Sequence, residues 1–235
     1  MKALLITGTD TGVGKTVIGC GIAAALTARG KTVGVLKPAE TGCALRDGEL
    51  YPEDAARLAA FARSSLPLEH ICPYRFAPPV APSVAAEQAG VTIDPCHIAA
   101  LFQAIATRHE ITLVEGAGGL LVPLVGRYTF ADLARDLQIP IVVVVGSKLG
   151  ALNHALLTFH CLQTRSLPLY GYILNHPTSA SDPAIQTNAR TLAGLTDIPC
   201  RGIVPFLPLR GDLEQDRVVL EAWFSQAVDF GSLLR

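Results

Sequence analysis

The fold class follows from two adjoining segments near the start of the chain, Lys2-Ala3-Leu4-Leu5-Ile6-Thr7 and Gly8-Thr9-Asp10-Thr11-Gly12-Val13-Gly14-Lys15-Thr16. The first six residues form a short apolar run, which predicts a strand. The segment from Gly14 to Ala28 reads as a helix, because Gly30 follows it as a typical stop signal. A glycine-rich loop therefore joins the predicted strand to the predicted helix.

This loop is a variant of the phosphate-binding loop (P-loop), whose usual pattern is G-x-x-x-x-G-K-[ST]. Thr9 takes the strict position of the first glycine, and Gly8 lies one residue earlier. Backbone N–H groups and the positive end of the helix can still surround phosphates. Lys15 is placed to reach the β- and γ-phosphates, and the Thr16 hydroxyl to ligate Mg²⁺. The alternative is a glycine-rich turn that binds nothing, but Gly-Lys-Thr at a strand-to-helix junction favours nucleotide binding.

The rest of the chain alternates apolar runs with helical stretches. The further predicted strands are Thr32–Lys37, Ile111–Val114, Ile139–Gly146, Pro168–Asn175 and Pro199–Val204. The further predicted helices are Pro52–Arg63, Asp94-Pro95 to about Arg108, Ala151–Arg165, one from Asp182-Pro183 and one from Leu213. The proline-rich segment from Ser64 to Thr92 is expected to be an irregular surface excursion. This order predicts a single α/β domain over residues 1–235, P-loop NTPase-like, with a mostly parallel sheet and helices on both faces.

Composition excludes several classes of protein. The 235 residues carry a formal net charge of −1, which favours neither nucleic acid nor an anionic membrane surface as a partner. No segment supplies ~20 consecutive apolar residues, and the opening run is too short for a signal peptide, so we expect a cytoplasmic protein. The six cysteines form no C-x-x-C pair and are expected to be free thiols, mostly buried.

An acid and a second lysine follow predicted strands. Glu115 ends the run Ile111–Val114 and precedes Gly116-Ala117-Gly118-Gly119, so it is expected at the carboxyl edge of the sheet, where ligands bind in open α/β folds. The alternative is an ordinary strand-end turn. Lys37 ends the second predicted strand and would lie at the same edge, although a solvated strand-end lysine is equally compatible with its position.

Three other polar residues leave alternatives open. Asp54 lies at a helix start, where it either complements the helix dipole or ligates a metal. Asn175 ends a strand, where it either contacts an adenine edge or belongs to a turn. His154 and His176 have no partner at ligand spacing and read as structural or exposed.

Together these segments resemble the dethiobiotin synthetase family. The resemblance rests on five segments that occur in order over most of the chain: Gly8–Thr16, Lys37–Gly42, Val114–Gly119, Val145–His154 and Gly171–Asn175. It implies ATP as co-substrate, Mg²⁺ as cofactor, and the conversion of 7,8-diaminopelargonate and CO₂ to dethiobiotin, with ADP and phosphate released. A carbamate and a carbamic-phosphoric anhydride would be the intermediates.

The resemblance also assigns tasks to residues. Lys15, Lys37 and Thr11 would be catalytic, and Thr16, Asp54 and Glu115 would hold Mg²⁺. The implied ATP site contains Gly12, Val13, Gly14, Lys15, Thr16, Val17, Asp54, Glu115, Gly116, Ala117, Gly118, Asn175, His176, Val204, Pro205 and Phe206. The implied substrate site contains Thr11, Lys37, Thr41, Gly118, Ala151, Leu152 and Asn153. The last three would come from the other subunit, which implies a homodimer.

Three rival functions are weaker. A partitioning-type switch ATPase would carry a signature lysine where this chain has Asp10. A corrin amidoligase would need an added glutaminase domain, for which the chain has no room. A nucleotide-binding module without chemistry is disfavoured only by the resemblance at Lys37 and Thr41.

Overall fold

The structure is a computed structural model that describes residues 2–179 and 183–231. Its strands are β1 (Lys2–Gly8), β2 (Val33–Leu36), β3 (Ala39–Thr41), β4 (Ala44–Arg46), β5 (Glu49–Tyr51), β6 (Tyr74–Phe76), β7 (Ile111–Gly119), β8 (Pro123–Val125), β9 (Tyr128–Thr129), β10 (Ile141–Gly146), β11 (Leu169–Asn175) and β12 (Cys200–Val204). Its helices are α1 (Lys15–Ala28), α2 (Glu53–Ala62), α3 (Leu68–Ile71), α4 (Pro82–Gln88), α5 (Pro95–Ala106), α6 (Phe130–Leu137), α7 (Ala151–Thr164), α8 (Pro183–Leu195) and α9 (Leu213–Ala227).

Six strands form the central sheet, in the order β12-β11-β10-β1-β7-β2, and every neighbouring pair is parallel. The chain builds one half of the sheet on one side of β1 and the other half on its opposite side. Loops that leave the carboxyl ends of β1 and its neighbours therefore diverge and open a crevice between them. The predicted α/β fold is confirmed.

Helices cover both faces of the sheet, because its central strands are apolar on both sides. On one face α1, α2 and α9 contribute Ile18, Phe61 and Phe224 to a buried cluster. On the other face α5, α6 and α7 contribute Phe102, Phe130 and Phe159. The sheet is thus the middle layer of three, as predicted.

Most predicted elements are present with small shifts at their ends. The strand predicted to end at Val114 continues to Gly119 as β7. Asp94 caps α5 as expected, since its side chain accepts a hydrogen bond from the Cys96 N–H at 2.8 Å. The helix after Asp182 is present from Pro183, while Asp182 itself lies outside the described residues.

The prediction of an irregular excursion from Ser64 to Thr92 was wrong. This segment contains α3, β6 and α4, and it buries Ile71, Cys72 and Phe76. The short strand β6 pairs with β3, which lies more than thirty residues earlier in the chain. The regular structure of this segment therefore depends on a long-range pairing that local patterns do not reveal. The β8–β9 hairpin and α6 were likewise not predicted.

The cysteines are free, as expected, but only three of them, Cys20, Cys43 and Cys72, are buried. The prediction that most are buried was therefore wrong. In the described part of the chain, no helix has the length and apolar character needed to cross a membrane. The cytoplasmic location stays a prediction.

Candidate active site

Strand register brings the P-loop, Lys37 and Glu115 to one place. Strand β7 lies between β1 and β2, and Leu36 of β2 is opposite Val114 of β7. Lys37 directly follows Leu36, and Glu115 directly follows Val114. The two side chains therefore lie at the same height along the strands. Because the P-loop follows β1 at this same edge, two residues 78 positions apart meet beside it.

The P-loop closes tightly around its glycines. A Cβ atom on Gly8 would lie 2.8 Å from the Asp10 carbonyl oxygen and 3.1 Å from Lys15 Nζ. The close approach is therefore made at Gly8, one residue earlier than the usual pattern requires, which explains why Thr9 is tolerated. Gly14 adopts a φ of 91° immediately before α1 and leaves the first N–H groups of that helix open toward the loop.

Lys15 is a buried cation whose ammonium group has little negative charge beside it. It is 7% exposed, and its Nζ donates to the Asp10 carbonyl oxygen at 3.1 Å. Burial, and then the neighbouring charge of Lys37, lower the pKa of Lys15 to about 8. A phosphate bound in the loop would supply the missing negative charge.

Lys37 lies between two carboxylates. Its Nζ donates to Glu115 Oε1 and, at 2.9 Å, to Asp54 Oδ2, while Thr16 Oγ1 donates to Glu115 Oε1 at 2.8 Å. Burial alone would lower the pKa of Lys37, but the charges of Glu115 and Asp54 raise it above its ordinary value. Burial alone would raise the pKa of Asp54, and Lys37 reverses this and lowers it. Since Lys37 is only 2% exposed, the reading of a solvated strand-end lysine was wrong.

A cavity of about 310 Å³ opens in front of these groups. It is lined by Thr11, Gly12, Gly14, Lys15, Thr16, Val17, Lys37, Glu40, Thr41, Asp54, Ala117 and Gly118. The structure thus gathers predicted catalytic, phosphate and substrate residues around one space. Glu115 lies behind it, 1% exposed, and touches the cavity through Thr16 and Lys37.

The residues predicted to hold adenine lie beside the loop and outside this lining. Asn175 is buried, and its Nδ2 donates to the Val13 carbonyl oxygen at 2.8 Å. The His176 N–H donates to the carbonyl oxygen of buried Val204 at 2.8 Å, while the nearby Phe206 is 43% exposed. The first bond joins β11 to the P-loop and the second joins the residue after β11 to β12, and an adenine contact stays a prediction.

The start of α7 also lies outside the cavity lining. The left-handed residue Gly150 precedes Ala151, and exposure increases from buried Ala151 through Leu152 to exposed Asn153. Sequence reasoning gave no role to Lys148, which lies two residues before Gly150. Its Nζ lies 3.5 Å from Asp10 Oδ2 in the P-loop. Nothing local to Lys148 predicts this contact, because it depends on the pairing of β1 with β10.

Sequence reasoning also gave no role to Glu40. Its carboxylate accepts hydrogen bonds from the backbone N–H groups of Asp54 at 2.9 Å and Ala55 at 3.0 Å. Burial raises the pKa of Glu40, although the charge of Lys37 and these two N–H groups partly oppose the shift. A signal was present in the sequence: Pro52, which precedes α2, has no side chain able to cap the helix, so its first N–H groups need an acceptor from elsewhere.

The fold and this loop define a nucleotide-binding protein of the P-loop class. The family model described as AAA domain matches residues 2–212. Among solved structures, the chain is similar to the septum site-determining protein MinD complexed with Mg-ADP from Pyrococcus horikoshii, with a TM-score of 0.56, 16% identity and 96% of each chain covered. It is also similar to a ParA family ATPase from Chlorobium tepidum, with a TM-score of 0.54, 15% identity and 95% and 91% of the two chains covered. At these identities the likeness shows a shared fold.

Sequence relatives are much more similar. The chain is 43% identical over 208 residues to the ATP-dependent dethiobiotin synthetase BioD of Anaeromyxobacter dehalogenans strain 2CP-C, covering 88% of this chain and 92% of that one. It is 37% identical over 227 residues to the same-named protein of Thermodesulfovibrio yellowstonii, covering 93% of each. The chain therefore belongs to the family of ATP-dependent dethiobiotin synthetases, which are ligases of biotin biosynthesis that use ATP.

Proposed function

We propose that this protein converts 7,8-diaminopelargonate, CO₂ and ATP to dethiobiotin, ADP and phosphate. One amine of the substrate adds to CO₂ and loses a proton, which gives a carbamate. A carbamate oxygen attacks the γ-phosphorus of ATP and ADP leaves, which gives a carbamic-phosphoric anhydride. The second amine then attacks the carbamoyl carbon and loses a proton, phosphate leaves with its bonding electrons, and a cyclic urea is formed.

One observation carries this proposal: Lys15 and Lys37 line the same cavity, and Lys37 is held there by two carboxylates. The reaction places negative charge on a carbamate and on a transferring phosphoryl group at once, and fixed cations lower the free energy of such a transition state. Lys15 would hold the phosphates from the P-loop side, and Lys37 would hold the carbamate and the transferring group from the β2 side. Thr11 and Thr41, also in the lining, would orient the diamine.

The residues present are compatible with a magnesium ion. Thr16 and Asp54 offer oxygen ligands at the cavity, and hard oxygens are what Mg²⁺ prefers. Glu115 Oε2 is buried with no hydrogen-bond partner among the described residues, so this oxygen can still accept a hydrogen bond or ligate a metal ion. When bound, Mg²⁺ would neutralise charge on the β- and γ-phosphates, with Thr16, Asp54 and Glu115 as direct or water-bridged ligands.

A homodimer forms part of the proposal, with Ala151, Leu152 and Asn153 completing the partner's substrate site. The support is an apolar surface next to the P-loop: a cavity of about 400 Å³ lined in part by Gly8, Leu121 and Leu157. The last two side chains are 48% and 60% exposed. In the proposed dimer a second copy covers this surface, and the start of its own α7 completes the substrate site. The backbone N–H groups there would bind the substrate carboxylate.

The decisive experiment measures ADP release by the purified protein with Mg-ATP and bicarbonate, with and without the diamine, while dethiobiotin is followed by mass. We expect diamine-dependent ADP release matched by dethiobiotin, and loss of both in Lys15→Ala. Lys31→Ala is a matched control, because Lys31 pairs with Glu110 at the opposite end of β2 and should retain turnover. ATP hydrolysis indifferent to the diamine would overturn the proposal and favour a switch ATPase.

A further inference from the structure

The carboxylate of Glu40 occupies an unusual place for a residue that lines a nucleotide cavity. It lies on β3, directly after the Lys37-Pro38 turn, and it is 6% exposed. Both of its oxygens point at the first turn of α2, where Oε1 accepts from the Asp54 N–H at 2.9 Å and Oε2 from the Ala55 N–H at 3.0 Å. Glu40 is therefore a helix cap supplied from 14 residues earlier in the chain.

This cap is linked to the cation that the proposed reaction needs. Asp54, whose backbone is held by Glu40, accepts a hydrogen bond from Lys37 Nζ with its side chain at 2.9 Å. Within the described part of the chain, α2 receives no cap from its own N-cap residue, because that residue is Pro52. A carboxylate bound to two N–H groups at a helix start is a charge-assisted contact and is also favoured by the helix dipole. Movement of this turn would move the Asp54 carboxylate away from Lys37.

We propose that Glu40 is a positioning residue that acts through Asp54. It holds the first turn of α2, and so holds the Asp54 carboxylate where it contacts Lys37 and can ligate Mg²⁺. This inference rests on the proposed function for its catalytic meaning, but the placement of Asp54 is testable by binding alone. Both Glu40 oxygens already accept hydrogen bonds from the backbone of α2, which favours a positioning role over direct contact with the substrate.

The test compares Glu40→Gln with Glu53→Gln in the full-length protein. The first change removes the negative charge. It also replaces one acceptor oxygen with an NH₂ donor, which then faces a backbone N–H group. The second removes a charge from the same helix turn, where Glu53 is exposed and pairs with Arg46. Mg²⁺ should increase the affinity of the wild type for a non-hydrolysable ATP analogue. In Glu40→Gln this increase should be smaller by about threefold or more, because loss of a group that orients a metal ligand weakens metal binding. The affinity measured in EDTA should be unchanged. Glu53→Gln should match the wild type.

A double-mutant cycle with Asp54→Asn separates positioning from a general structural role. If Glu40 acts through Asp54, Glu40→Gln should have no further effect on the Mg²⁺-dependent gain once Asp54 is changed. Additive losses in the double variant would overturn the proposal and would make Glu40 an independent ligand or a purely stabilising residue. If Glu40→Gln does not fold, Glu40→Asp keeps the charge and enters the same cycle.

The proposed function and this inference fail in different ways. If the wild-type protein binds Mg-ATP but does not respond to the diamine, the proposed synthetase reaction is contradicted. The double-mutant cycle, which measures binding alone, can still be interpreted. In an active protein, kcat should decrease about tenfold in Glu40→Gln, and the half-saturating Mg²⁺ concentration should rise, because a group that orients a metal ligand is lost. An unchanged kcat and an unchanged Mg²⁺ titration would contradict the positioning role.

Discussion

Lys37 and Glu115 form a buried ion pair across two adjacent parallel strands. Each residue directly follows the last registered pair between β2 and β7, Leu36 and Val114, so the backbone geometry fixes their meeting point. Breaking such a pair by removing one partner leaves a buried charge without compensation. The pair is therefore both a structural element of the carboxyl edge and a way of holding a cation next to the P-loop.

For Lys37→Gln we expect a much larger loss in rate than in nucleotide binding. The rate constant for a single turnover should fall by a factor on the order of 10²–10³, as for removal of one electrostatic donor at a transition state. The dissociation constant for ATP should change only a few-fold, because Lys15 and the P-loop amides remain. Single-turnover kinetics and a binding titration measure the two quantities. Equal losses would move Lys37 from catalysis to nucleotide binding.

Lys15 predicts a pH dependence of nucleotide binding. Its pKa of about 8 in the free protein should rise when phosphates bind, because they favour the charged form. Binding therefore takes up a proton above the free pKa, and affinity should fall with rising pH by up to about tenfold per pH unit. Calorimetry at alkaline pH, in buffers with different heats of ionisation, measures this uptake. Lys15→Met should lack the effect. If the affinity of the wild type does not change over this pH range, the assignment is refuted.

Two glycines of the P-loop should differ in their tolerance of alanine. Gly12 and Gly14 have φ values of 72° and 91°, so either substitution places a side chain in a left-handed conformation at a cost of about 1–2 kcal/mol. At Gly12 no atom of the described residues, apart from the two chain neighbours, lies within 4 Å of the new Cβ, whereas at Gly14 it would lie 2.2 Å from Asn175 Nδ2. Gly14→Ala should lower the free energy of unfolding by about 1–3 kcal/mol more than Gly12→Ala. Denaturant titrations compare them, and equal losses would argue against the clash.

The shared substrate site predicts complementation between subunits. An Asn153→Asp variant and a Lys37→Gln variant should each be nearly inactive alone. A mixed dimer would contain one site with both changes and one with neither, so its activity should approach half that of the wild type. Differently tagged subunits allow the mixed dimer to be purified and assayed. Inactivity of a verified mixed dimer would show that Asn153 does not serve the partner's site.

Local sequence patterns were sufficient for the elements whose formation is a local matter. The buried strands are apolar runs, Asp94 caps its helix with its own side chain, and Gly8 to Thr16 occupies a strand-to-helix junction. The carboxyl-edge location of Glu115 and Lys37 also followed from the sequence, because parallel strands in an α/β sheet end on the same side. The segment 64–92 could not be predicted in this way, since β6 forms only against β3.

The fold class, the phosphate loop and the family could be predicted without coordinates, because they depend on short contiguous motifs and their order. The roles of the isolated polar residues depend on long-range packing. Whether Lys37 is solvated or buried between Asp54 and Glu115 depends on β7 lying between β1 and β2, a choice made by the packing of the whole sheet. The cap that Glu40 provides to α2 has the same origin: it joins residues that no periodicity relates, at a distance set by how β3 and α2 pack around the cavity.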